Sequence, residues 1–80
     1  MHVRCTTVGS GPGPDEKIIA IQTANGHREE VPVTEAMIIK GAIDVGYPIV
    51  RELEKVLVEL PRESFSGNWR IWVPVAAVLD

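Results

Sequence analysis

The sequence predicts one α+β domain: an antiparallel β-sheet of three to five strands, packed on one or two helices and closed by a C-terminal strand. Three observations lead there. Asn25-Gly26 lies between two short runs of strand-forming residues, which marks a hairpin in an N-terminal meander. From Thr34 to Val45, apolar residues recur at helical spacing over a broad face. From Trp69 to Val73 the residues alternate and are aromatic or β-branched, as in a strand.

The elements follow in order. His2 to Val8 alternates weakly, with Val3, Cys5 and Thr7 on one side, and reads as a first strand. Gly9 to Pro14 is rich in glycine and proline and reads as a connector. Its glycines do not make a phosphate loop, because the lysine and the following Ser/Thr are missing. Lys17 to Thr23 is the second strand and His27 to Val33 the returning one. The charges and Pro32 of the returning strand suit an edge, where a missing N–H costs least.

Thr34 is a good N-cap, and Met37, Ile38, Gly41, Ala42 and Val45 share one stripe of the helix that it would open. Gly46 would cap the end. Residues 48–60 admit two readings. As a helix, Ile49, Leu53, Val56, Leu57 and Leu60 fall on one face, with Glu52 and Lys55 as an i,i+3 pair opposite. As a strand, Val56, Val58 and Leu60 share a face before Pro61. The helical count covers the longer window. Pro61 to Asn68 is a loop, and the last strand is broken or bulged near Pro74. No internal repeat is visible. The expected core is Ile19, Ile21, Val33, Ile38, Ala42, Val45, Leu53, Val56, Leu57, Leu60, Ile71 and Val73.

The chain has 80 residues, enough for one domain over 1–80. A chain of this size buries roughly 60% of its unfolded surface, so a second chain adding interface is a natural route to stability. The net charge of −3 argues against a nucleic-acid partner. A single cysteine, Cys5, forms no internal disulfide. No signal-peptide core is present, and the longest proline-free apolar run, Val75 to Leu79, is far too short to span a membrane. A cytoplasmic protein is therefore expected.

Chemistry-bearing patterns are sparse. His2, Cys5 and His27 lack the paired spacing of a metal site. Ser64 and Ser66 have no nucleophile-elbow pattern, and the acidic residues sit in contexts that look solvated. Neither catalysis nor a metal or cofactor is implied. The most informative feature is the apolar segment after Thr34. A helix apolar over so much of its circumference is sandwiched or covered by a second chain, so Ile39 and Ile43 are candidate contact residues. The expected role is a small non-enzymatic protein-interaction or assembly module, a homodimer or one that binds a protein partner.

Two features point instead to a nucleic-acid-binding regulator. A strand followed by two helices over Arg28 to Leu60 resembles the ribbon-helix-helix arrangement, though Glu29 and Glu30 would face phosphate. If residues 56–60 are a strand, the order of elements resembles a small oligonucleotide-binding barrel. There Trp69 and Trp72 could stack on bases while Arg70 and Arg62 clamp them.

Overall fold

A computed structural model describes residues 1–79. Among them there is no α-helix. Nine strands form three small antiparallel sheets: β1 (His2–Arg4), β2 (Thr6–Ser10), β3 (Glu16–Gln22), β4 (Arg28–Thr34), β5 (Ile38–Ile39), β6 (Ala42–Asp44), β7 (Val50–Arg51), β8 (Lys55–Glu59) and β9 (Arg70–Pro74). The sheet orders are β1-β6-β5, β2-β3-β4 and β7-β8-β9. The α+β expectation is therefore corrected to an all-β fold.

Both expected helices fail for stated reasons. After Thr34 the chain makes a single 3-10 turn, Glu35–Met37, and then the hairpin β5–β6. Its turn is Lys40-Gly41, with φ of 53° and 75°. Ile38, Ile39, Ile43 and Val45 are β-branched and stiff at χ1, which lowers helix propensity and suits strands. An isolated helix of about 12 residues is marginal in any case. Pairing with β1 then decides the matter, setting Val3 opposite Ile43. Residues 48–60 follow the strand reading: Val56, Val58 and Leu60 are buried at alternate positions. Glu52 and Lys55 do meet, Nζ to Oε1 at 3.9 Å, but across the β7–β8 turn rather than along a helix.

The core joins all three sheets. Val3, Ile19, Ile21, Val31, Val33, Ile43, Val56, Val58 and Val73 are fully buried. Leu53, expected in the core, lies 93% exposed in the β7–β8 turn. Val3, Val31, Ile43 and Val58 are core residues absent from the expectation.

The β3–β4 hairpin turns at Gly26 as expected, but not by a two-residue turn. The Thr23 N–H donates to His27 O (2.9 Å) and the Gly26 N–H to Thr23 O (3.2 Å), with Gly26 at φ 87°. This is a type I turn followed by a left-handed glycine, the three-residue loop form.

The fold also repeats itself. β1 and β6 start forty residues apart, as do the fully buried Val33 and Val73 in β4 and β9. The 3-10 turn Glu35–Met37 recurs as Val75–Ala77. Hydrogen bonds recur with them. Cys5 N–H donates to Gly41 O and Val45 N–H to Met1 O, each at 2.9 Å. The turn at Thr23–His27 recurs at Ser64–Asn68, where Ser64 N–H donates to Asn68 O, Gly67 N–H to Ser64 O, and Gly67 has φ 89°. Ile38 faces Ile43 as Val78 faces Val3. The first strand of each half thus pairs with the end of the other half, about an approximate two-fold between β1 and β6. At a forty-residue shift only Val33/Val73 and Ala36/Ala76 are identical, so the repeat lies in pairing and burial, not in residue identity.

Candidate functional site

Of the residues that sequence reasoning singled out, Arg70 and Trp72 come together on one strand face. Ile43 is fully buried against Val3, so its surface is taken by the core. Ile39 is 56% exposed in β5. Arg70 and Trp72 alternate with buried Ile71 and Val73 along β9 and share its outer face. Trp69 precedes that strand and is about half exposed. Arg70 Nε donates to Glu59 Oε2 at 3.4 Å, and Arg62 Nη1 to Glu16 Oε2 at 2.7 Å. The Lys55 ammonium lies 4.6 Å from the centroid of the Trp72 ring, within cation–π range. The Trp72 ring thus has Lys55 as a cation–π partner, and the two arginines expected as clamps each pair with a carboxylate. The ribbon-helix-helix resemblance falls with the helices.

Arg70 and Trp72 line a polar cavity of about 370 Å³, with Asn25, His27, Glu29, Lys55 and Asn68. Its charged groups each have a partner: Arg70 pairs with Glu59 and Lys55 with Glu52, both outside the cavity lining. Glu29 accepts hydrogen bonds from the Ser66 hydroxyl and, at 3.0 Å, from Asn68 Nδ2. The Ser66 bond, helped by Ser64, Asn68 and the charge of His27, holds the Glu29 carboxyl below its ordinary range despite some desolvation.

A second cavity, of about 330 Å³, opens where β1, β2 and β3 meet the 3-10 turn Val75–Ala77. Cys5, Val8, Ala20, Pro74, Ala76 and Ala77 give it apolar walls, and Arg4, Thr6, Gln22 and Arg28 supply polar groups. The wall thiol, Cys5, is buried, and that burial pushes its pKa up, so it is neutral here at physiological pH.

The third feature is a surface. β7 is an edge of its sheet. Around it Tyr47 and Leu53 are each 93% exposed, and Ile49 and Val50 are also exposed. Sequence reasoning missed this patch because the helical reading spent Ile49 and Leu53 on a buried face. The corresponding edge of the first half, β2, carries Thr6, Thr7, Gly9 and Ser10, with Val8 the one large apolar side chain.

Among the described residues no three His, Cys, Asp or Glu side chains gather as a metal site requires, and no helix is long and apolar enough to cross a membrane. No protein-family model matches the chain, and neither a curated protein nor a solved structure matches it.

Proposed function

We propose that the protein is a small non-enzymatic assembly module whose β7 edge pairs with the same edge of a second copy. The observation that carries this is the exposure of Tyr47 and Leu53 beside the edge strand β7. Natural edge strands are normally blunted by charge, proline, glycine or brevity. β2 follows that rule with its polar residues and glycine. The β7 edge keeps its strand short and places Pro48 nearby, yet surrounds it with exposed apolar side chains, the signature of a contact surface.

The spacing is self-complementary. Tyr47 and Leu53 lie three residues on either side of Val50. A two-fold antiparallel pairing of β7 brings the Tyr47 end of one copy alongside the Leu53 end of the other. An isologous contact needs this kind of match. The same chain already uses such pairing internally, between β1 and β6.

Sedimentation equilibrium over a concentration series tests the reading. The wild type is expected to approach twice its chain mass, and Leu53→Lys with Tyr47→Lys to stay monomeric. Both side chains are exposed in the monomer, so its stability should change by no more than about 0.5 kcal/mol. A wild type that is monomeric throughout, or a double variant that still dimerises, overturns the proposal.

A further inference from the structure

We propose that the cavity lined by Arg4, Thr6, Ala20, Arg28 and Ala77 is a binding site for a small organic anion, a carboxylate or phosphate head on a short apolar body. In a chain with 11 acidic residues against 8 basic ones, no carboxylate is among the described residues that line this cavity. Arg4 forms no ion pair among the described residues. Arg28 gives Nη2 to Glu30 Oε2 at 2.6 Å, and its remaining donors leave it able to bind a second acceptor. The volume, near 330 Å³, lies at the lower end of small-molecule sites. Apolar walls with a few convergent polar groups are the usual make-up of such sites. The neutral Cys5 thiol adds no negative charge to repel the head group.

The internal repeat supplies an independent argument. The repeat gives a second set of positions equivalent to these, and the two sets differ in sequence. Arg4 corresponds to Asp44 at a forty-residue shift. Ala77 corresponds to Met37. Ala20, paired with Glu30 in β3–β4, corresponds to Glu59, paired with Arg70 in β8–β9. One of the two equivalent sites therefore carries two carboxylates and a long thioether where the other carries an arginine and two alanines. Core packing does not require the arginine or the two alanines, since the same architecture is built without them.

The divergence also supplies the variants. Arg4→Asp and Ala77→Met each install the residue that the equivalent position already tolerates. Sodium hexanoate is the probe, with 1-hexanol as its uncharged counterpart, followed by amide chemical shifts. Saturable shifts are expected at Arg4, Thr6, Ala20, Arg28 and Ala76, half-complete at about 1 mM, a reasonable affinity for so small a ligand. Arg4→Asp should weaken hexanoate binding at least tenfold, and Ala77→Met should weaken it by filling the cavity; the dispersion of each amide spectrum verifies folding. If Arg4→Asp does not fold, Arg4→Gln serves in its place with the same expectation. The proposal is overturned if hexanoate gives no saturable shifts there, if the folded arginine variant binds as tightly as the wild type, or if hexanol binds equally well.

Discussion

Val3 and Ile43 face one another at the centre of the β1–β6 pair, and neither exposes any surface. A shift of forty residues turns one into the other, so this contact sits where the two halves of the fold exchange. Strands that lie far apart in sequence are joined here, and the core closes around them.

Removing volume at this point should be costly. Ile43→Ala is expected to lose about 2–5 kcal/mol, a large share of what a domain of this size has to spare. Val3→Ile alone should overpack the site by about 1–3 kcal/mol. The exchange Val3→Ile with Ile43→Val keeps the total volume and should cost under about 1.5 kcal/mol. Urea unfolding followed by tryptophan fluorescence measures all three. An exchange variant no better than Val3→Ile alone would remove the two residues from a shared site.

Lys40 is the one non-glycine residue with positive φ among those described, at 53°. The left-handed region costs an L-residue about 1–2 kcal/mol. Lys40→Gly should therefore stabilise the protein, by somewhat less than about 1 kcal/mol once the freer unfolded chain is counted. Gly41→Ala, at φ 75°, should destabilise it by a similar amount or more. Thermal unfolding decides; a melting point raised by Gly41→Ala would contradict the turn geometry.

The Glu29 carboxyl is held below its ordinary pKa, chiefly by the Ser66 hydroxyl. A depressed native pKa means that the unfolded chain binds the proton more readily. The stabilisation is complete above the unfolded value of about 4.3 and is lost as pH falls through the lowered native value. Glu29→Gln should accordingly be less stable than the wild type at pH 7, with the gap narrowing towards pH 3. Asp44, whose carboxyl is lowered mainly by the Gly46 N–H, keeps part of the acid dependence in both proteins. A gap that is the same at every pH would show that Glu29 acts without its charge.

The repeat predicts a permuted protein. Ile39 lies beside Ala42 in the β5–β6 hairpin, and the Leu79 N–H donates to His2 O at 2.9 Å, the same relation forty residues on. Joining the two ends through a short glycine-rich turn and opening the chain between Lys40 and Gly41 should give a folded protein with the same amide-shift pattern away from the new junctions. Closely placed chain ends commonly tolerate such a change. A permutant that cannot fold would mean that the two hairpins are not equivalent.

Much of the strand content could be read directly. Ile19 and Ile21, Val56 and Val58, and Ile71 and Val73 are each buried two residues apart, where alternation puts them, although Ala20 between the first pair is buried too. Gly26 marked its turn because a left-handed residue was needed there. The stretch from Thr34 to Val45 was ambiguous for a physical reason. So many of its residues are apolar that helical and alternating spacings are both satisfied, and length and a glycine at the end favoured the helix. The apolar edge around β7 was hidden by the same ambiguity, since a helical face would have buried Leu53. The charged and aromatic candidates on β9 share a strand face, yet Lys55 and Glu59, which engage Trp72 and Arg70, come from β8 and are placed only by its register.

The sequence by itself determined the alternating core positions of the long strands and the glycine-punctuated hairpin at Gly26. Local spacing and turn chemistry act within a few residues and need no partner. The tertiary structure alone decided that residues 34–45 form a 3-10 turn and a β-hairpin, that the two halves repeat, and that Arg4 and Arg28 line one cavity. Those outcomes depend on β1 meeting β6 and on arginines and alanines drawn together from distant elements. Pairing across forty residues conserves which positions are buried, not which side chains fill them, so the repeat left almost no trace of identity in the sequence.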